Sequence, residues 1–307
     1  MSRRDACRAS VVAAAATLAL AGCGLGAGAT PVRVALLVTN SFGAQTVDSA
    51  ARAEIAGADT VMRMLERNAH VTTRYGGGFV AGIDGLAGGG AVDWFYYVNG
   101  VQAPKGAAET RLHAGDHVWW DRHDWSAAES IPAVVGSFPE PFVDGIAGKR
   151  LPLRIECTQT RAPACHAVQD VFEGYGLVAS EGCLLCSQYN ESLRVVVGPY
   201  ATLSADPAAL TLAHGPSASG VYARFEDGGR RLALLDSAGR VVRTAGAGAG
   251  LVAATRFHGQ PPVWYVTGTD AAGVAAAVRA FDAGTLDEHF AIAVIDDVAI
   301  PLPAGGP

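Results

Sequence analysis

Two aromatic runs constrain this chain more than anything else in it. Asp93-Trp94-Phe95-Tyr96-Tyr97-Val98-Asn99-Gly100 is the first, and Gly115-Asp116-His117-Val118-Trp119-Trp120-Asp121-Arg122-His123-Asp124-Trp125 is the second. Together they hold Trp94, Trp119, Trp120 and Trp125, four of the five tryptophans in the chain. The first run is aromatic and β-branched and stops at Asn-Gly, a dipeptide suited to positive φ in a tight turn. It reads as a strand entering a hairpin. The second starts from a Gly-Asp turn and is again strand-like. Side chains alternate across a strand. Trp94, Tyr96 and Val98 therefore share one face, and Phe95, Tyr97 and Asn99 the other. In the second run His117, Trp119, Asp121 and His123 share a face, opposite Val118, Trp120 and Arg122. Both faces carry large rings, so this small sheet is either covered on both sides or offers a ligand platform.

The chain before these strands opens like an export signal. Arg3, Arg4 and Arg8 precede an apolar stretch from Val11 to Ala21, too short for a permanent span of about 20 residues. It ends Leu20-Ala21-Gly22-Cys23, which has the form of a bacterial lipobox. In that class the peptide is cut before the cysteine and the thiol carries a diacylglycerol. Residues 1–22 thus read as a lipoprotein signal, Cys23 as the lipidation site and 23–30 as a tether. The expected location is the outer face of the bacterial cytoplasmic membrane, anchored in the lipid bilayer. A net charge of -6 without a Lys/Arg-rich run excludes a nucleic-acid partner. With 50% hydrophobic and 17% charged residues the chain is not disordered by composition.

Residues 31–125 read as one domain. Val32 to Thr39 is a buried-type strand, and Gln45 to Ala50 pairs back on it through Asn40-Ser41-Phe42-Gly43. Val61, Met64 and Leu65 recur at helical spacing between Gly57 and Asn68, with Asp59 or Thr60 as cap. Short strands follow at His70 to Arg74 and Gly78 to Ile83, and the aromatic strands close the unit. Strand, strand, helix, then strands is the order of a β-grasp sheet.

These residues resemble a known family. Trp94 to Gly100, then Gly106-Ala107-Ala108, then Leu112 followed by Gly115-Asp116-x-Val118-x-Trp120, are similar to the C-terminal domain of transcobalamin and intrinsic factor and its bacterial relatives. In the animal proteins that domain caps cobalamin against a helical domain; no large helical barrel is present here. The resemblance implies a β-grasp fold and a ligand-binding role for Trp94, Tyr96, Tyr97, Asn99, Trp119, Trp120 and His123. It also implies cobalamin or a related corrinoid as ligand, delivered to a membrane uptake transporter.

His117, Asp121 and His123 share a strand face, and imidazole with carboxylate suits zinc. His117 and Asp121, however, lie about 13 Å apart along an ideal strand. Solvated polar residues, or hydrogen bonds that tie the strand end to the next domain, are favoured over a metal site, and no metal or other cofactor is expected.

Residues 126–150 contain three prolines among Phe, Val and Ile, and read as an extended connector packed across both domains. Residues 151–307 follow an α/β pattern: a strand at Leu153 to Cys157, a helix opened by Pro163, a strand at Leu193 to Val197, short strands with Asp-Gly-Gly and Ser-Ala-Gly turns, a strand at Val263 to Thr267, a helix capped by Thr269 or Asp270, and a last strand at Phe290 to Ile295. Thr267-Gly268-Thr269-Asp270 has a weak anion-site pattern, and a plain helix cap is the favoured reading of it.

Cys7 leaves with the signal. Cys157, Cys165, Cys183 and Cys186 remain, and an even number outside the cytoplasm reads as two disulfides. Cys157 and Cys165 are each expected to pair across to the Cys183/Cys186 loop. The fold class is thus α+β, a β-grasp-like domain followed by a disulfide-containing α/β domain. The expected protein is a binding protein without catalytic residues. An envelope adaptor and, third, a thiol–disulfide oxidoreductase at Cys183-Leu184-Leu185-Cys186 are the alternatives.

Overall fold

The computed structural model describes residues 32–55, 59–159, 162–184, 186 and 191–305. The signal, Cys23 and the tether lie outside these.

The first half opens with strands β1 (Val32–Asn40) and β2 (Gln45–Ile55), an antiparallel hairpin. Its turn places Ser41, Phe42 and Gly43 all at positive φ. A Cβ at Gly43 would stand 1.9 Å from the Glu288 carbonyl oxygen, so only glycine closes this turn against the second half of the chain. Helix α1 (Val61–Asn68) follows, capped by Thr60, whose hydroxyl accepts the Arg63 N–H. It buries Val61, Met62, Met64 and Leu65. Strands β3 (Val71–Arg74), β4 (Phe79–Ile83) and β5 (Leu86–Ala87) form a small separate sheet. The two aromatic runs become β6 (Val92–Val98) and β8 (His117–Asp124), with β7 (Val101–Gln102) between them. Asn99 and Gly100, both at positive φ, make the β6–β7 turn.

The main sheet runs β2-β1-β8-β6-β7, with β1 and β8 parallel and its other pairs antiparallel. This mixed sheet with a helix on one face is the grasp arrangement expected from the sequence.

The second half is built on a seven-stranded sheet. Its elements in chain order are β9 (Leu153–Cys157), α2 (Pro163–Gly174), β10 (Ala179–Cys183), β11 (Leu193–Pro199) and three short helices, α3 (Tyr200–Leu203), α4 (Pro207–Thr211) and α5 (Pro216–Ser219). A meander of β12 (Ala223–Glu226), β13 (Arg231–Leu235) and β14 (Val241–Ala245) forms its own sheet. Then come β15 (Gly250–Thr255), β16 (Val263–Gly268), α6 (Ala271–Arg279), α7 (Ala283–Leu286), β17 (Ala291–Ile295) and β18 (Val298–Leu302). The large sheet is ordered β10-β9-β11-β16-β15-β17-β18. Strands β10, β9, β11 and β16 are mutually parallel, and β15, β17 and β18 add on antiparallel. Helices α2 and α6 cover one face with Val168, Phe172, Val274 and Ala277. Asp270 caps α6 by accepting the Gly273 N–H, and its second oxygen accepts the Gly248 N–H. The carboxylate therefore fills the space an anion would need at that helix start.

Residues 126–150 differ from the extended segment that the prolines suggest. They coil into consecutive turns over 136–144. Val134 N–H reaches the Gly100 carbonyl, and Val135 N–H reaches the Phe290 carbonyl. Val134 joins the core shared with the grasp sheet, while Val135, Phe138 and Phe142 enter the core under α2 and α6. Local carboxylate and carbonyl acceptors make turns possible where proline alone suggests extension.

The disulfides also differ from expectation. Cys157 joins Cys165, and Cys183 joins Cys186. Cys165 lies on the first turn of α2, which packs on β9, so it faces Cys157 directly. Spacing along the chain does not reveal that proximity.

Candidate functional site

The aromatic strands pair in register. Tyr96 stands opposite Trp120 and Tyr97 opposite Trp119. The two faces then part company. Trp94, Tyr96, Val118 and Trp120 pack toward α1 with Met64 and Leu65. Tyr97 and Trp119 pack the other way, into a core shared with Tyr222 and Phe290 of the second half. Tyr96 stacks on Trp120 at 4.8 Å, and Trp119 meets Phe290 edge-on at 5.0 Å. The sheet is thus covered on both sides.

This corrects the open platform that the ring pattern permits. Tyr97 and Trp119 are fully enclosed, because the second half of the chain supplies the cover. Trp94, Tyr96 and Trp120 are buried as well, though their edges line a pocket of about 210 Å³ beside Gln102 and Gly106. Tyr96 also donates its hydroxyl to the Lys105 carbonyl. Burial raises the Tyr96 phenol and pushes the Tyr97 phenol well above the ordinary range. Asn99 is wholly committed to structure. Its amide donates to Asp116 and to the Gly145 carbonyl, its oxygen accepts the His117 N–H, and the residue is fully buried, so it is not presented to a ligand.

Asp121 and His123 form the centre of a buried polar network. The Asp121 carboxylate accepts the Thr39 hydroxyl at 2.5 Å, the Phe42 N–H at 3.0 Å and the Gly43 N–H at 2.9 Å. His123 Nδ1 lies 2.8 Å from the same carboxylate. Trp119 donates its indole N–H to the Thr39 hydroxyl. The His123 ring is held between Phe42 at 4.7 Å and Phe95 at 4.5 Å, with Phe290 edge-on at 5.4 Å. In the neutral imidazole, an Nδ1–H donated to the Asp121 carboxylate fixes the tautomer and leaves the lone pair on Nε2.

His123 also lines a cleft of about 500 Å³ between the grasp hairpin and the end of the chain. Asn40, Phe42, Arg122, His289 and Pro303 are among its other walls. Burial depresses the His289 imidazole and favours its neutral form. The cleft therefore offers the His289 imidazole, the Arg122 guanidinium and an aromatic wall at Phe42, with His123, only 2% exposed, set into that wall. Phe42, His289 and Phe290 come from segments remote from the aromatic runs, and a single sequence carries no signal that joins them.

His117 does not belong to this group. It contacts Ser137 at 3.0 Å, and burial lowers its pKa. Among the described residues, no group of three or more His, Cys, Asp or Glu is arranged to hold a metal ion. No helix among them is long and apolar enough to cross a membrane.

Elsewhere, Arg194 is buried with Glu156 at 2.7 Å and with Asp206, whose other oxygen accepts the Tyr265 hydroxyl at 3.1 Å. Burial works against the guanidinium charge, but the two carboxylates outweigh it and raise the Arg194 pKa.

The comparisons with known proteins address the first half. Residues 58–124 match a family described as a domain of unknown function, DUF4430. That span runs from the cap of α1 to the end of β8. No curated protein matches the chain. Among solved structures, haptocorrin in complex with Cbi is 12% identical over 31% of this chain, with a TM-score of 0.26. This chain covers 25% of haptocorrin's length. A protein from Ruminococcus gnavus ATCC 29149, described as a "putative metal binding protein", is 15% identical. It aligns over 30% of this chain and 97% of its own, with a TM-score of 0.24. At these scores the likeness is confined to part of the chain and assigns no function.

Proposed function

We infer that this protein is a non-catalytic, extracytoplasmic binding protein, anchored through Cys23, whose ligand enters the cleft lined by His123. The ligand class is a corrinoid, or another planar metal-centred molecule, passed on to a membrane uptake system. The observation that carries the reading is the Asp121–His123 pair at the wall of a cleft of about 500 Å³. Small-molecule sites commonly fall within roughly 300–1,000 Å³. A carboxylate behind an imidazole raises its basicity and fixes its orientation toward a metal. A single imidazole does not make a metal site, but it suits a metal that arrives with its other ligands in place. The aromatic wall at Phe42 gives such a ligand an apolar face to rest on.

The test is a titration of the purified protein with cobalamin, followed by the corrin absorption spectrum and by tryptophan fluorescence. Ligation by His123 shifts the corrin bands. His123→Phe keeps the ring between Phe42 and Phe95 but removes both nitrogens, and is expected to abolish the shift. No spectral change and no quenching at tens of micromolar cobalamin would overturn the corrinoid reading.

The burial of Tyr97, Trp119 and Trp120 favours a second reading, an envelope adaptor whose aromatic runs serve packing alone. It expects the His123→Phe protein to behave like wild type toward cobalamin, and a stable protein partner in crosslinked membranes.

A further inference from the structure

The four cysteines of the second half lie closer together than their two bonds require. Strands β9 and β10 are parallel neighbours, and Cys157 is the register partner of Cys183. Register partners in adjacent strands sit about 4.8 Å apart at Cα and direct their side chains to the same face. A disulfide needs Cα atoms roughly 4.4–6.8 Å apart. Cys157 is therefore within bonding geometry of Cys183 as well as of Cys165, its present partner.

The two bonds differ in access. Cys157 and Cys165 are each 2% exposed, whereas Cys183 and Cys186 are exposed. An open pocket of about 540 Å³ is lined by Cys157, Thr158, Gln159, Cys183, Leu184 and Thr202. It lies outside the carboxyl ends of parallel strands β9, β10 and β11, the side on which open α/β sheets receive ligands. That pocket is thus lined by one cysteine of the buried bond and one of the exposed bond.

We propose that Cys183–Cys186 and Cys157–Cys165 form a two-stage thiol–disulfide relay that exchanges with an external dithiol. In the first stage a thiolate of the dithiol attacks Cys186 Sγ. A mixed disulfide forms, the Cys183–Cys186 bond breaks, and Cys183 leaves as a thiolate. The second thiol of the dithiol then attacks the mixed disulfide, closes the dithiol's own disulfide and releases Cys186. The dithiol loses two electrons and the protein bond gains them; the two protons follow to the cysteines. In the second stage the Cys183 thiolate attacks Cys157 Sγ. A Cys157–Cys183 bond forms, the Cys157–Cys165 bond breaks, and Cys165 leaves as a thiolate that takes up a proton. This stage moves no net electrons, since one disulfide replaces another. It detaches the first turn of α2 from β9, so reduction at the surface is passed to a buried staple. The exposed pair gives an entry point, and the register with Cys157 lets the exchange continue to the buried bond.

The experiment uses the full mature chain. Oxidised protein receives one equivalent of dithiothreitol, is quenched in iodoacetamide, and is digested without reduction for mass spectrometry. The relay yields a Cys157–Cys183 crosslinked peptide, with Cys165 and Cys186 alkylated. Alkylation confined to Cys183 and Cys186, with Cys157–Cys165 intact throughout, overturns it. A second measurement needs no added reductant. In Cys186→Ser, Cys183 has no local partner, and the isolated protein is expected to carry the Cys157–Cys183 bond with Cys165 free to alkylate. A free Cys183 beside an intact Cys157–Cys165 in all molecules would equally refute the relay.

Discussion

Glu140 gives the sharpest test of the packing between the two halves. Its side chain is buried in the turns of residues 136–144, and one carboxylate oxygen accepts the Asp144 N–H at 2.8 Å. Burial is the largest influence on it and raises its pKa; the Asp144 N–H opposes this, and the Asp144 and Asp116 carboxylates add to the rise. The carboxyl is pushed from 4.5 up to about 7. At 1.36 kcal/mol per pH unit, this corresponds to on the order of 3 kcal/mol between the protonation states. The folded chain binds this proton more tightly than the unfolded one. Between pH 4.5 and about 7 the native state therefore holds more protons, and stability falls as pH rises through that window.

Glu140→Gln removes the charge and retains an acceptor for the Asp144 N–H. We expect the variant to be nearly as stable as wild type at pH 5. By pH 8 it should be more stable by on the order of 3 kcal/mol, the amount wild type loses on ionising a buried carboxyl. Urea unfolding of both proteins at several pH values measures this directly. His117 and His289 act in the opposite sense: burial lowers both, so their contribution is lost as pH falls below the unfolded value near 6.5. That term is common to both proteins and cancels in their difference. A wild-type-to-variant gap that stays constant from pH 5 to 8 would refute the placement of Glu140 in a buried, carboxylate-flanked site.

Three further outcomes are expected. Cys23→Ala should leave the protein unprocessed or shed it from the membrane, and incorporation of labelled fatty acid by the mutant would rule out the lipobox. Arg194→Ala strips Glu156 and Asp206 of a buried guanidinium and should destabilise the protein by about 3–5 kcal/mol, read by chemical denaturation; a loss under about 1 kcal/mol would mean the site is hydrated. Trp119→Ala should cost about 3–5 kcal/mol. Because Trp119 packs on Phe290, the loss should appear as one lowered transition for both halves in a thermal melt, and a shift confined to one of two separate transitions would contradict the shared core.

The aromatic runs, the Asn40–Gly43 turn, α1 and the parallel α/β pattern were legible from the chain because each rests on local chemistry. Alternation put rings on both faces of β6 and β8, and the glycine and asparagine turns needed their positive φ whatever surrounded them. The grasp order followed from those elements in sequence. Two things were not local. Whether the rings were covered depended on Phe290 and Tyr222, residues that meet Tyr97 and Trp119 only after the second half docks. The disulfide partners depended on α2 folding back over β9, which brings Cys165 to Cys157 across an eight-residue separation. A loop of that size constrains the unfolded chain by about 2–3 kcal/mol, less than a bond across tens of residues would.

The candidate site shows the same division. The sequence alone determined that Asp121 and His123 share a face, since they are two apart on a strand. Only the tertiary structure joined them, at 2.8 Å, in one buried network. The hairpin turn supplies two backbone N–H groups to Asp121, and Phe42, Phe95 and Phe290 enclose the imidazole from three directions. Periodicity specifies which way a side chain points along its own strand. What it then meets is decided by how separate elements pack, because burial, and with it each hydrogen bond and pKa shift, belongs to the assembled core.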